Sequence, residues 1–444
     1  MTENFAEDRV VSCLFRYLCT KKLFFTRMEL TNGSYGIQGI ALTTLAEKYE
    51  TPLYVYDGEK IVNQYKRLKN AFDGTRVKIK YAAKALTNQS IMTLLQKAGS
   101  GVDVVSINEL QLALRAGFTP GDIMFTPNCV DFSEIEEAIT LNVHINIDNL
   151  PFLKKFGERY GSSVPVCIRI NPHIDAGGNE KIMTGHRESK FGISIEQEGK
   201  ILDIVAQYKL NVEGIHVHSG SDFKSADAFV SAAEIMFKVA KDYPSLSFID
   251  FGSGFKVAYK EGDHATDIEE LGKKMSSAFK AFCAAYGREL ELWFEPGKFL
   301  VSESGLLLTT CTVIKETPAC TFIGVNSGLN HLIRPMMYGA YHSIFNVSNP
   351  SGKHKKYNVV GYICETDTFG KALDISEAKE GDIIALKNAG AYGFSMSSNY
   401  NSRFRPAEVL ILNGKDFLIR KREVFDDLLK NQVEIFSAET SLQV

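Results

Sequence analysis

Residues 78–89 read KIKYAAKALTNQ. Lys78 to Ala83 have the alternation of a short strand, and Asn88 opens a helical stretch, NQSIMTLLQKAG. Between them stands Lys84, flanked by alanines, where a buried strand passes into a loop. An isolated lysine at such a place is ordinarily an exposed loop residue, so the rest of the chain has to say whether this one is different.

The strand–turn–helix unit recurs along the chain. After an entry segment, PLYVYD, and a helix come eight strand candidates: KIKYA, GVDVVS, IMFTPN, HINID, VCIRIN, EGIHVHS, FIDFG and LWFEP. Each is bounded by loop residues, and most are followed by helical periodicity such as SADAFVSAAEIMFKVAKDY. Eight units in roughly 250 residues predict an α/β fold, a (β/α)8 TIM-type barrel. A doubly wound open sheet is the alternative, but no G-x-G-x-x-G follows the first strand.

Beyond residue 300 the segments LLLTTCTVIKET, TFIGVNSG, YNVVGYI, DIIALKNAG and EVLILNGKDFLIRKR are short, β-branched and turn-bounded. They predict a C-terminal all-β domain, with Asn413-Gly414 as a hairpin turn. The early segment GSYGIQGI is expected to add a strand to that domain and make it discontinuous. The expected division is an N-terminal extension over 1–27, an N-terminal segment of the β-domain over 28–56, the barrel over 57–298 and the β-domain over 299–444.

The chain has 444 residues and a formal charge of −3, which gives no reason to expect nucleic acid or an acidic membrane as partner. No apolar run approaches the ~18 residues of a membrane span. The segment RVVSCLFRYLCTKKLFF follows acidic residues and is interrupted by Arg16, a poor secretory signal; it reads as a helical extension or as sequence upstream of a true start at Met28. Eight cysteines without a C-x-x-C pair point to reduced thiols in a cytoplasmic protein. Cys129, Cys167, Cys283, Cys311 and Cys320 read as buried filler, whereas Cys364, in GYICETDTFG, is set among polar residues.

In barrels of this kind chemistry gathers at the C-terminal strand ends. Lys84 closes the first strand, Asp103 and Ser106 the second, Asn171 the fifth, His218 the sixth, the Gly252-Ser253-Gly254 turn the seventh and Glu295 the eighth. Each alone is weak: such a histidine is more often structural, a G-S-G turn is usually only a turn, and a carboxylate before Pro296-Gly297 can simply cap a loop. A lysine, a flat ring, a glycine anion nest and a carboxylate around one mouth together suit pyridoxal phosphate. The lysine binds its aldehyde, glycine amides cradle its phosphate, and a carboxylate keeps its ring nitrogen protonated. No metal site is read.

From about Met28 onward the chain resembles the diaminopimelate decarboxylases, members of the alanine-racemase-like, fold-type III pyridoxal phosphate enzymes. The matching motifs are YAAKALTN, GVDVVSINEL, RINPHIDAGG, TGHRESKFGI, GIHVHSGSD, FIDFGSGF, WFEPGKFLV, LNHLIRPMMYGAYH, VVGYICETDTFG and AGAYGFSMSSNYNSRFRPAEVL. The resemblance implies decarboxylation of meso-2,6-diaminopimelate to L-lysine and CO2, the last step of lysine biosynthesis, through a pyridoxal phosphate imine and quinonoid. By it Lys84 is the imine lysine and His218 stacks on the ring. Ser221, Gly252, Ser253, Gly254 and Tyr392 surround the phosphate, and Glu295 pairs with the ring nitrogen, followed by Pro296, Gly297 and Lys298. Arg334, Tyr338 and Glu365, with Lys298 and Tyr392, meet the substrate. Cys364, the implied proton donor, and Glu365 enter from the second subunit of a homodimer.

Lys298 stands where many members have arginine, which puts the details of carboxylate recognition in question. Ser253 replaces a glycine with its amides still available, and Asn108 and Asn326 replace a common glycine and aspartate. Two alternatives stay open: a decarboxylase of ornithine, lysine, arginine or carboxynorspermidine in polyamine metabolism, and a noncatalytic pyridoxal phosphate carrier. Arg334 favours a distal carboxylate over the first; the β-domain and the CETD motif speak against the second.

Overall fold

The computed structural model describes residues 29–31, 33–174, 185–218, 220, 223, 225–260 and 262–435. Eight parallel strands close a barrel: β1 (Val77–Ala82), β2 (Gly101–Val104), β3 (Ile123–Phe125), β4 (His144–Ile147), β5 (Pro165–Asn171), β6 (Asn211–His216), β7 (Phe248–Asp250) and β8 (Glu291–Phe294). Closure is direct, because β8 pairs with β1 through Trp293 opposite Lys78, and β4 pairs with β5 through Asn146 opposite Cys167. All eight are the strands that the alternation predicts.

Strand parity sorts the side chains. Ile79 and Tyr81 of β1 point outward into the main core, shared with helices such as Gly58–Ala71 and Ile268–Tyr286. The opposite parity fills the barrel itself. Its floor is a small apolar plug of Met124, Cys167, Phe248 and Trp293. The Phe248 and Trp293 rings stack 3.5 Å apart, and a Cβ on Gly214 would lie 2.2 Å from the Phe248 ring, so only glycine admits this plug. Above the plug the interior turns polar, with Asp103, Asn146, Arg169, His216, Asp250 and Glu295 all buried.

Most of the remaining strands form a second, nine-stranded sheet. Its spine is Gly305–Glu316, whose first half pairs with Leu53–Asp57 and Ile383–Lys387 and whose second half pairs with Thr321–Val325. Leu53–Asp57, the PLYVYD segment that precedes the barrel strands, lies inside this sheet, between Gly305–Glu316 and Ala407–Leu412. GSYGIQGI behaves differently from expectation. Its strands Ser34–Ile37 and Ile40–Ala41 join Glu29–Thr31 in a separate three-stranded sheet. That sheet joins the β-domain by packing, since Ile37, Leu42 and Leu45 share a core with Leu53, Val55, Leu306 and Ile411.

Asn413 and Gly414, both at positive φ, make the two-residue hairpin turn between Ala407–Leu412 and Lys415–Arg420. Among the cysteines, Cys167, Cys283 and Cys311 are buried as expected. Cys129 is exposed and Cys320 half-buried, because both lie on loops or at edges outside the core. Among the described residues no helix is long and apolar enough to cross a membrane.

Candidate active site

Lys84 sits in a single 3-10 turn, Ala83–Ala85, immediately after β1. Beyond the turn Asn88 caps helix Gln89–Lys97, its side chain accepting from the Ser90 amide at 3.0 Å. The alanines matter because the turn is crowded: the site of a Cβ on Gly297 lies 3.0 Å from the Ala85 Cβ and 3.3 Å from that of Ala82. From the β-domain, the Tyr392 amide and the Ser395 hydroxyl both donate to the Ala85 carbonyl, at 2.9 and 3.1 Å. The turn is thus fixed from both domains, while the Lys84 side chain stays 43% exposed in the barrel mouth.

Lys84 Nζ donates to Asp103 Oδ2 at 2.9 Å. Burial works against the ammonium, but Asp103, followed by Tyr392 and Glu295, outweighs it and holds the group above the ordinary lysine value. Glu295 is buried directly after β8. Burial would raise its carboxyl, yet His216 and Lys84 prevail and hold it down at about 2. One oxygen, Oε2, meets His216 Nε2 at 3.1 Å; the other, Oε1, is buried without a protein partner.

His218 accepts at Nδ1 from the Ser253 amide at 3.1 Å, which places its ring proton on Nε2. Burial, then Arg169 and Lys84, hold it well below the usual imidazole value, so the ring is neutral. Gly252, at φ +59, would bring a Cβ to 2.5 Å from His218 Nδ1, and Gly254, at φ +152, one to 2.4 Å from Phe223. The Gly252 amide donates to Asp250 Oδ1 at 2.8 Å. Two of the three amides expected to be available in this turn are therefore engaged, because the turn folds back on Asp250 and His218.

Arg334, 8% exposed, lies with its guanidinium 5.7, 6.0 and 5.7 Å from the ring centroids of Tyr259, Tyr338 and Tyr392. It donates to the Tyr259 hydroxyl at 3.4 Å, and its buried Nε has no protein partner. Pro296 and Gly297 are buried beside the Lys84 turn, with Lys298 half-buried after them.

Not every expected residue joins this group. Ser221 lies outside the described residues, as do residues 175–184 of the RINPHIDAGG and TGHRESKFGI region. Cys364 and Glu365 are exposed on the β-domain, where Asn401 Nδ2 donates to the Cys364 sulfur at 3.3 Å and the Tyr400 hydroxyl donates to Glu365 at 2.8 Å. Neither partner belongs to the barrel mouth of the same chain. Ser106, read as pointing into the mouth, instead caps helix Ile107–Ala116 by accepting from the Glu109 amide. Asn171 likewise turns to its own loop, donating to the His186 carbonyl at 3.0 Å. His216, Asp250, Arg169 and Tyr259 were not singled out by the sequence. Shared parity with His218, Gly252 and Asn171 along single strands is the signal that points to the first three.

The unpartnered Glu295 oxygen, the neutral ring of His218 and Lys84 suit a flat cofactor with an aldehyde and a basic ring nitrogen. Comparison with known proteins agrees. Residues 58–302 match the family model of the pyridoxal-dependent decarboxylases, pyridoxal binding domain. A diaminopimelate decarboxylase of Methanothermobacter thermautotrophicus is 38% identical over 90% of this chain and 96% of its own. The structure of diaminopimelate decarboxylase from M. jannaschii in co-complex with L-lysine superposes with a TM-score of 0.85 at 31% identity, covering 92% of this chain and 98% of that one. That from Helicobacter pylori complexed with L-lysine gives 0.81 at 34%, covering 87% and 98%. The chain belongs to the diaminopimelate decarboxylase family of pyridoxal-dependent decarboxylases.

Proposed function

We infer that this chain removes CO2 from the D-centre of meso-2,6-diaminopimelate and releases L-lysine, with pyridoxal phosphate as cofactor. The observation that carries the substrate is Arg334, a buried guanidinium boxed by three tyrosines whose buried Nε–H has no protein partner. Such a donor is costly unless an anion completes it. A carboxylate at the far end of the substrate does so, whereas ornithine, lysine and arginine present a cation there, which Arg334 repels.

When bound, pyridoxal phosphate supplies the electron sink for the pair released as the Cα–carboxylate bond breaks. In this reading Lys84 holds the cofactor aldehyde, and Asp103 positions its nitrogen. Glu295 keeps the ring nitrogen protonated, and His218 lies on the ring face. The Gly252–Gly254 turn, Ser221 and Tyr392 meet the phosphate, and Pro296, Gly297 and Lys298 close the site beside Lys84. Arg334, Tyr338 and Tyr392 grip the distal end of the substrate.

A proton must then reach Cα from one face. Cys364 carries it, with Glu365 beside it on the substrate, both arriving from the second subunit of a homodimer. Their exposure on the single chain, with the exposed Tyr400 bonded to Glu365, supports that placement. The six described cysteines are all free, which suits a reducing cytoplasmic compartment.

CO2 release measured in parallel from meso-diaminopimelate, L-lysine, L-ornithine and L-arginine tests the assignment. The expected kcat/KM for meso-diaminopimelate exceeds the others by about a hundredfold or more, because a mismatched charge leaves Arg334 unpaired. Faster release from L-ornithine or L-lysine would overturn it.

A further inference from the structure

Behind Glu295 the barrel holds two polar side chains that the roles above leave unused. His216 ends β6 and Asp250 ends β7, and both are 0% exposed. One side-chain nitrogen or oxygen of each, together with one of Glu295, lies within 4.8 Å of the other two.

The contact between His216 Nε2 and Glu295 Oε2, at 3.1 Å, has a definite polarity. An ionised carboxylate only accepts, so the imidazole donates. Oε2 is thereby committed, and Oε1 is the single oxygen left to face a ligand. Asp250 links this pair to the neighbouring turn by accepting from the Gly252 amide at 2.8 Å. Burial, followed by the charge of Glu295, pushes the Asp250 carboxyl well above its ordinary value.

We propose that His216 is a positioning residue: its Nε2–H fixes the Glu295 carboxylate so that Oε1 alone meets the cofactor's ring nitrogen and keeps it protonated. The inference rests on the role given to Glu295 above. A histidine that merely filled the barrel would be replaceable by any side chain of similar volume. A positioning donor needs an N–H at the place of Nε2. Glutamine puts its amide nitrogen near that place, whereas asparagine puts its own near Nδ1.

The experiment uses the full chain reconstituted with pyridoxal phosphate carrying 15N in the ring. The ring-nitrogen resonance is recorded for wild type, His216→Leu, His216→Asn, His216→Gln and Glu295→Gln, alongside kcat and KM for meso-diaminopimelate. Wild type should give the protonated shift. His216→Leu and His216→Asn should move it toward the unprotonated value and lower kcat about tenfold or more, the usual scale for a lost charge-assisted hydrogen bond, with KM nearly unchanged. His216→Gln should restore both. If Glu295→Gln moves the resonance while His216→Leu and His216→Asn leave it in place, the positioning role is wrong and the Glu295 reading stands. If Glu295→Gln itself leaves it in place, that reading fails first. Should His216→Leu not fold, the Asn and Gln variants decide, and equal resonances for the two would overturn the proposal.

Discussion

Lys84 and Lys80 stand four residues apart and meet opposite fates. Lys80 points into the barrel floor, 1% exposed, its Nζ 4.1 Å from the Trp293 ring centroid and donating to the Asp122 carbonyl at 3.0 Å. Burial there lowers its pKa to about 8, which makes it the easier of the two to deprotonate. Reactivity follows access instead, since Lys84 alone opens to the mouth. Borohydride reduction of the holoenzyme should therefore attach the cofactor at Lys84, and peptide mapping to Lys80 or Lys190 would reject the assignment. Lys84→Ala should remove both turnover and the visible absorption of the bound cofactor. Glu295→Gln should keep the cofactor bound but slow decarboxylation by on the order of a hundredfold, the common effect of losing one charged contact in a preorganised site. Unchanged turnover in that variant would remove the electron-sink argument.

At the scale of elements, the Cys364 loop shows how an exposed segment is held. Asp367 lies beneath it, 3% exposed, with Oδ1 accepting from the Leu329 amide at 2.7 Å and Oδ2 from the Ile363 amide at 3.1 Å. Burial raises its carboxyl to about 6, against an ordinary value of 3.8. A raised carboxyl binds its proton more tightly in the folded state. Its stabilising contribution is therefore complete below about pH 4 and is lost as pH rises through about 6. Asp367→Asn removes this titration, so the fall in melting temperature between those pH values should flatten relative to wild type. Thermal melts at stepped pH check it, and an unchanged slope would mean that another group titrates there. The same substitution should loosen the loop that presents Cys364 and Glu365.

At the scale of the whole molecule, the proposed dimer makes a quantitative demand. Lys84→Ala and Cys364→Ala homodimers should each be nearly inactive. Random subunit exchange makes about half the dimers mixed, and each mixed dimer has one site with both residues intact, so activity should recover to roughly a quarter of wild type. Exchange is verified separately with mass-tagged subunits. If mixed dimers form and activity stays at background, Cys364 either serves its own barrel or is not needed. Substantial activity of the Cys364→Ala homodimer would select the latter.

Local pattern determined the barrel. Strand alternation, loop residues and helical periodicity are properties of short windows, so all eight strands, and with them the place of Lys84 and Glu295 at strand ends, were readable directly. So was the Asn413-Gly414 turn, because both residues accept positive φ. Pairing across long separations was not readable. Nothing local says that Leu53–Asp57 inserts between Gly305–Glu316 and Ala407–Leu412, or that the GSYGIQGI strands keep to their own sheet. The same holds for the buried polar set of the barrel. Lys80 looks like an ordinary polar residue in a short strand, and strand parity puts Arg169, His216 and Asp250 only on the same face as Asn171, His218 and Gly252. Only closure of the barrel brings them together out of water, where burial and mutual charge decide which carboxyl is ionised and which donor holds Glu295.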